Sequence, residues 1–76
     1  MKNLFQLVAE HFKIPLQTVS DAMTSHDVPD WDSLNYLLFV AELEKEYNIS
    51  FTMDEVLGIQ KVGDIRTIIN NKGISV

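Results

Sequence analysis

The apolar residues of the chain recur at helical spacing in three stretches, which predicts a helical protein. The first stretch is formed by Leu4, Phe5, Val8 and Phe12, with Leu7 on its flank. It predicts a helix from about Lys2 to Phe12, which ends before Ile14–Pro15 because the residue preceding a proline disfavours helical backbone. The last stretch predicts a helix from Val62 to Asn71, closed by Lys72 and Gly73.

The longest helical pattern runs from Leu34 to Tyr47, about four turns at 3.6 residues each. Asp32 and Ser33 directly precede it, and both are favoured N-cap types. Whichever of the two is the cap, Ser33 lies at or beside the first turn, where unpaired main-chain N–H groups point outward. Asn48 is predicted to end this helix in a left-handed conformation.

This central helix carries two apolar stripes. The first consists of Tyr36, Phe39, Val40, Leu43 and Tyr47, and it is typical of a face packed in the core. The second, the leucine stripe, consists of Leu34, Leu37, Leu38 and Ala41. Because a helix in so small a domain does not easily bury both sides, we expect the leucine stripe to be exposed and to form a contact site. The alternative is that the loop before the helix covers it.

That loop runs from Pro15 to Trp31, a segment without a sustained period. A loop of this length is predicted to be held to the core by its own apolar side chains, here Leu16, Val19, Met23 and Val28. After the central helix, Thr52 and Glu55 have the spacing of a capping box. They predict a brief third helix through Leu57 that Gly58 stops.

Length and charge restrict the function further. Seventy-six residues predict one domain, 1–76, and the net charge of −5 disfavours nucleic acid and anionic membranes while favouring basic partners. Without cysteine the chain has no disulfide and no thiolate zinc site, so any thiol chemistry needs a borrowed sulfur. The apolar run from Leu4 to Ala9 is too short for a signal peptide or a membrane span. We therefore expect a cytoplasmic monomer.

No catalytic or metal-binding constellation is evident in the sequence. The loop acids are Asp27, Asp30 and Asp32. They lack the glycine and the distal glutamate of a calcium loop. His11 and His26 lack metal-ligand spacing, and no nucleophile, base and orienting group can be assembled, so we expect no enzyme. Taken alone, Ser33 is an ordinary N-cap, and Trp31 is the kind of residue that covers a helix end.

The tripeptide Asp32, Ser33, Leu34 resembles the attachment motif of the acyl carrier proteins, in which the serine carries 4'-phosphopantetheine. The run from Ala41 to Tyr47 is similar to the acidic and apolar helix of that family, and Val62 to Ile65 is similar to the beginning of its last helix. The resemblance covers nearly the whole chain. It implies an all-α fold, a small four-helix bundle with three longer helices and a short third one.

The resemblance also implies a function. Ser33 would be the phosphopantetheine attachment residue, flanked by Asp32 and Leu34, and the thiol of the arm would hold acyl groups as thioesters. A phosphopantetheinyl transferase would attach the arm, and acyl-transferring, ligating or synthase enzymes with basic docking surfaces would use it. The implied partner contacts are Leu34, Leu37, Leu38, Ala41, Glu42, Glu44 and Trp31.

Several residues depart from the family pattern. Asp30 replaces a usual glycine, Leu38 and Lys45 replace usual acids, and the form Trp31 to Leu34 is similar to carriers of polyketide-like or specialised pathways. Lys61 replaces the usual cap of the last helix, which predicts a frayed start. Three alternatives stay open: an aminoacyl or peptidyl carrier, a cofactor-free acidic interaction domain, and a cavity for the acyl chain that Leu37 and Ala41 face.

Overall fold

The computed structural model describes residues 2–76, which form a small helical bundle. Its helices are α1 (Leu4–Phe12), α2 (Ser33–Tyr47), α3 (Met53–Gly58) and α4 (Val62–Asn71). A single 3₁₀ turn, Leu16–Thr18, interrupts the loop between α1 and α2. Residues 2–76 contain no strand beyond an isolated bridge between Thr24 and Lys61. The predicted all-α fold with a short third helix is confirmed, and α4 has the predicted bounds.

The start of α1 differs from the prediction by two residues. Asn3 is its N-cap: the side-chain oxygen accepts the N–H of Gln6 at 2.9 Å, and the Gln6 side chain accepts the N–H of Asn3 at 3.0 Å. Because this capping box fixes the first turn, Lys2 lies outside the helix. The helix ends at Phe12, and Lys13 is its C-cap with a φ of 58°.

The turn between α2 and α3 follows the sequence closely. Asn48 ends α2 with a φ of 55°, as predicted. Thr52 and Glu55 form the predicted capping box, with N–H to side-chain distances of 3.2 and 2.8 Å. The pKa of the Glu55 carboxyl is lowered, chiefly by the hydrogen bond from the N–H of Thr52 and to a smaller extent by Lys72. Gly58 is the last residue of α3 and not the first one beyond it.

The start of α4 is capped by the long loop. The N–H of Val62 donates to the carbonyl oxygen of Met23 at 3.0 Å, and the N–H of Gly63 donates to that of Asp21 at 2.8 Å. A Cβ atom at Gly63 would lie 3.0 Å from that same Asp21 oxygen, so a larger residue would push the loop back by a few tenths of an ångström. The predicted fraying after Lys61 is wrong, because a distant segment supplies the acceptors that a local cap would otherwise provide.

The core is built from α1, α2, α4 and the long loop between α1 and α2. Its buried residues include Leu4, Leu7, Val8, Phe12, Phe39, Leu43, Tyr47, Val62, Ile65 and Ile69. Val19, Met23 and Val28 of the loop are also buried, as predicted, and they hold the loop against the bundle. The prediction for Leu16 is wrong: it is 48% exposed, since it belongs to the 3₁₀ turn, which has no buried residue.

Helix α3 is attached to the bundle by few contacts. None of its side chains is buried. The hydroxyl of Tyr36 donates to the carbonyl oxygen of Val56 at 2.7 Å, and Lys72 forms an ion pair with Glu55 at 3.0 Å. Burial raises the pKa of Tyr36 to about 12, so this hydroxyl keeps its proton in alkaline solution in which an exposed tyrosine loses it.

We expect Tyr36→Phe to weaken this attachment and to change the response of the protein to alkali. Loss of the hydrogen bond to Val56 should cost about 1 kcal/mol at neutral pH. Between about pH 10 and pH 12 the unfolded chain loses the Tyr36 proton while the folded chain keeps it, so the free energy of unfolding of the wild type falls with rising pH.

The buried hydroxyl of Tyr47 contributes a fall of the same sign, which the variant retains. Urea unfolding followed by circular dichroism from pH 7 to pH 11 should therefore show a shallower decline for Tyr36→Phe. An equally steep decline in both proteins would show that Tyr36 is not the group that titrates.

Candidate functional site

Ser33 is the first residue of α2, and its side chain is exposed. Asp32 is the N-cap: its Oδ1 accepts the N–H of Asn35 at 2.8 Å, and its carbonyl oxygen accepts the N–H of Tyr36 at 2.8 Å. The cap has extended backbone, with φ −107° and ψ 176°. Asp32 therefore fixes where the helix begins, and Ser33 follows it at the helix mouth.

The first turn of α2 has donors to offer an anion. Within residues 2–76, the main-chain N–H groups of Ser33 and Leu34 have no acceptor, whereas that of Asn35 is bound to the cap. The aligned peptide dipoles also place partial positive charge at this end of the helix. A phosphodiester on the Ser33 hydroxyl would bring oxygen acceptors to these groups, so the residues present fit a phosphate-linked cofactor.

The leucine stripe lies on the surface next to Ser33. Leu34, Leu37 and Leu38 are 71%, 53% and 54% exposed, and Ala41 is exposed as well. The alternatives in which the loop covers the stripe, or in which Leu37 and Ala41 face an internal cavity, are wrong. The loop is instead drawn toward α4 by its hydrogen bonds to the start of that helix.

Two further exposed apolar residues lie on α3. Met53 is 69% exposed and Leu57 is 74% exposed. The sequence pattern did not single them out. The shortness of α3 was nevertheless a signal, because a helix of only six residues has little capacity to bury its side chains. Leu57 lies at the groove beside Ser33, which it lines together with Tyr36 of α2.

A groove of about 270 Å³ opens beside Ser33. It is lined by Ser25, Trp31, Asp32, Ser33, Tyr36, Val56, Leu57 and Ile59. The Trp31 ring is half-buried and stacks on Phe12 and Tyr36, with centroid distances of 5.7 and 6.0 Å. Trp31 thus covers the N-terminal end of α2, and the exposed part of its ring lines the groove.

The two glutamates predicted as partner contacts also serve the chain itself. Glu42 is half exposed, and its Oε2 lies 2.9 Å from Nδ1 of His11. Glu44 is half-buried and accepts the N–H of Phe51 at 2.8 Å. Sequence reasoning missed His11 as a partner of α2, because the spacing within α1 carries no information on which side chains face it from another helix.

The loop acids act as turn and cap groups. Asp27 accepts the N–H of Thr24 at 2.9 Å, while Asp32 caps α2. In the part of the chain that the structure describes, no three or more His, Asp or Glu residues are grouped as a metal site requires. None of the helices of residues 2–76 is both long enough and apolar enough to cross a bilayer.

A family model described as "phosphopantetheine attachment site" matches residues 3–69, from the cap of α1 almost to the end of α4. The chain belongs to this phosphopantetheine-binding family. The domain is the place where 4'-phosphopantetheine is covalently attached, and the resemblance to acyl carrier proteins is thereby confirmed. No curated protein matches the chain significantly.

In this phosphopantetheine-binding domain, we expect Asp32→Ala to lower the free energy of unfolding by about 1 kcal/mol, because the first turn of α2 loses its capping acceptor. Asp32→Asn keeps an acceptor at the same place and should retain most of the stability. Urea unfolding at neutral pH compares the two variants. An Asp32→Ala midpoint equal to that of the wild type would show that the cap is not needed.

Proposed function

We propose that the protein is an acyl carrier that holds acyl intermediates as thioesters on a 4'-phosphopantetheine arm attached to Ser33. The observation that carries the proposal is the position of Ser33: an exposed hydroxyl in the first turn of α2, beside two N–H groups without an acceptor, in a chain of this family. The chain supplies a hydroxyl and a surface, while partner enzymes supply the catalysis.

Attachment requires only one chemical group from the chain. The oxygen of the Ser33 hydroxyl forms the bond to phosphorus, the phosphoanhydride bond of coenzyme A breaks, and the nucleotide part leaves. The proton of the hydroxyl passes to a base on the transferase. Asp32 and Leu34 flank the serine in this reaction, with Asp32 fixing the helix start and Leu34 offering an exposed contact.

The docking surface in this proposal is the leucine stripe with its acidic border. Leu34, Leu37, Leu38 and Ala41 would seat against the partner, since exposed apolar patches of this kind mark contact sites. Glu42, Glu44 and Asp32 add negative charge around the stripe, which favours basic partners and raises the rate of association more than the affinity. The accessible part of Trp31 would contact the arm or the partner at the groove.

The cargo is proposed to be an acyl group of a dedicated, polyketide-like or specialised pathway. Leu38 makes the surface more apolar than an acid would, and Lys45, which is also exposed, makes it less negative. An aminoacyl or peptidyl carrier is the nearest rival. The aspartate at position 32, where peptidyl carriers usually have histidine, favours the acyl carrier.

The attachment can be tested by mass. Incubation with coenzyme A and a broad-specificity phosphopantetheinyl transferase should increase the intact mass by one phosphopantetheinyl group, and Ser33→Ala should abolish the increase. Circular dichroism should show that Ser33→Ala remains folded, because the Asp32 cap is intact. An unmodified wild type would favour a cofactor-free interaction domain and overturn the proposal.

The docking surface can be tested with a matched pair of leucine variants. Leu37→Glu places a charge in the leucine stripe and should raise the KM of the transferase about tenfold, equivalent to about 1.4 kcal/mol of docking. Leu16→Glu changes a leucine of similar exposure in the long loop and should leave KM unchanged. Equal KM values for both variants would place the docking surface elsewhere.

A further inference from the structure

His11 joins α1 to two residues of α2, Asn35 and Glu42, which are about two helical turns apart. Its Nδ1 lies 2.9 Å from Oε2 of Glu42, and its Nε2 lies 3.1 Å from the main-chain oxygen of Asn35 and 3.2 Å from the Asn35 Oδ1. The ring packs against Phe12 and Phe39, with centroid distances of 4.8 and 5.2 Å. Only 15% of the His11 side chain is exposed, and its contacts with Asn35 are partly buried, whereas Glu42 is half exposed.

Asn35 connects His11 to the turn that precedes Ser33. Its side-chain Nδ2 donates to the carbonyl oxygen of Asp30 at 2.9 Å, and its main-chain N–H donates to the Asp32 carboxylate at 2.8 Å. The Asp30 oxygen also accepts the N–H of Asp32 at 2.9 Å. Asn35 therefore binds both the turn and the cap that determine where Ser33 lies.

The side-chain amide of Asn35 determines which atoms donate and which accept in this set of contacts. Since Nδ2 of Asn35 donates to Asp30, Oδ1 is the acceptor that faces His11. Nε2 of His11 then faces two acceptor oxygens of Asn35 while Nδ1 faces the Glu42 carboxylate, so both contacts are hydrogen bonds when each ring nitrogen carries a hydrogen. Glu42 holds the other side of the ring and prevents it from rotating away from Asn35.

We propose that His11 is a positioning residue for the reactions of Ser33. By donating from Nε2 to Asn35, it fixes the side-chain amide that holds the turn from Asp30 to Asp32, and so it keeps Ser33 in place at the helix mouth. His11 itself does not touch the reacting atoms. This inference rests on the proposed function, because it assigns a second residue to the attachment site.

Two substitutions of His11 separate positioning from packing. His11→Gln keeps an amide nitrogen at the place of Nε2 and can still donate to Asn35, whereas His11→Asn keeps one at the place of Nδ1 and can donate only toward Glu42. Both variants lose the ring that packs on Phe39, so their losses of stability should be similar. Thermal unfolding checks this match.

The transferase reaction with coenzyme A should then distinguish them. His11→Asn should lower kcat about fivefold, the effect of one net hydrogen bond, with KM unchanged. His11→Gln should retain most of the wild-type kcat. Asn35→Ala should slow the reaction at least as much as His11→Asn, and the double variant should be no slower than Asn35→Ala. In ¹H–¹⁵N spectra, the Asn35 side-chain amide should shift in His11→Asn and stay in place in His11→Gln.

The outcomes are distinguishable from failure of the proposed function. If the wild type accepts the arm but both His11 variants slow equally, or only KM changes, His11 acts through packing or docking and the inference is wrong. If the wild type accepts no arm at Ser33, the proposed function itself fails.

Discussion

The bundle buries only one of the two apolar faces of α2, and the rest of the structure depends on this constraint. Phe39, Leu43 and Tyr47 belong to the core together with residues of α1 and α4. Val40 on the same side of the helix is buried as well. Once that face is buried, the leucine stripe on the other side has no partner within residues 2–76 and remains on the surface. The helix that supplies much of the core thereby also presents its apolar surface beside Ser33.

The long loop allows this arrangement because it is bound elsewhere. Val19, Met23 and Val28 bury its apolar side chains, and its carbonyl oxygens accept the first N–H groups of α4. These contacts satisfy polar groups at both segments, which otherwise would face water or lie buried without partners. The loop therefore closes one end of the bundle while leaving the N-terminus of α2 and the adjacent groove open.

The sequence predicted local features well and distant contacts poorly, for a physical reason. The four helices, the left-handed Asn48 and the Thr52–Glu55 box depend on neighbouring residues, which a linear pattern contains. The start of α4 and the role of His11 depend on residues more than 20 positions away, which no periodicity reveals. The same applies to Leu16, whose exposure is decided by how the loop is seated on the bundle.

The candidate site shows the same division. The exposure of Ser33 and of the leucine stripe follows from the capping and the periodicity of one helix, and both were predictable. The groove beside Ser33 was not, since it requires α3 to be held near Trp31 by the bond from Tyr36 to Val56. The N–H groups of Ser33 and Leu34 depend on both local and distant structure. The helix start leaves them without an acceptor, and the fold leaves them accessible to a phosphate.

Peptide mapping by tandem mass spectrometry, applied to the chain after reaction with transferase and coenzyme A, tests the central claim most directly. The chain has five serines, at positions 20, 25, 33, 50 and 75. The account predicts that the phosphopantetheinyl group is found on Ser33 and on no other residue. A group on another serine, or a fully accessible Ser33 that stays unmodified, would contradict it.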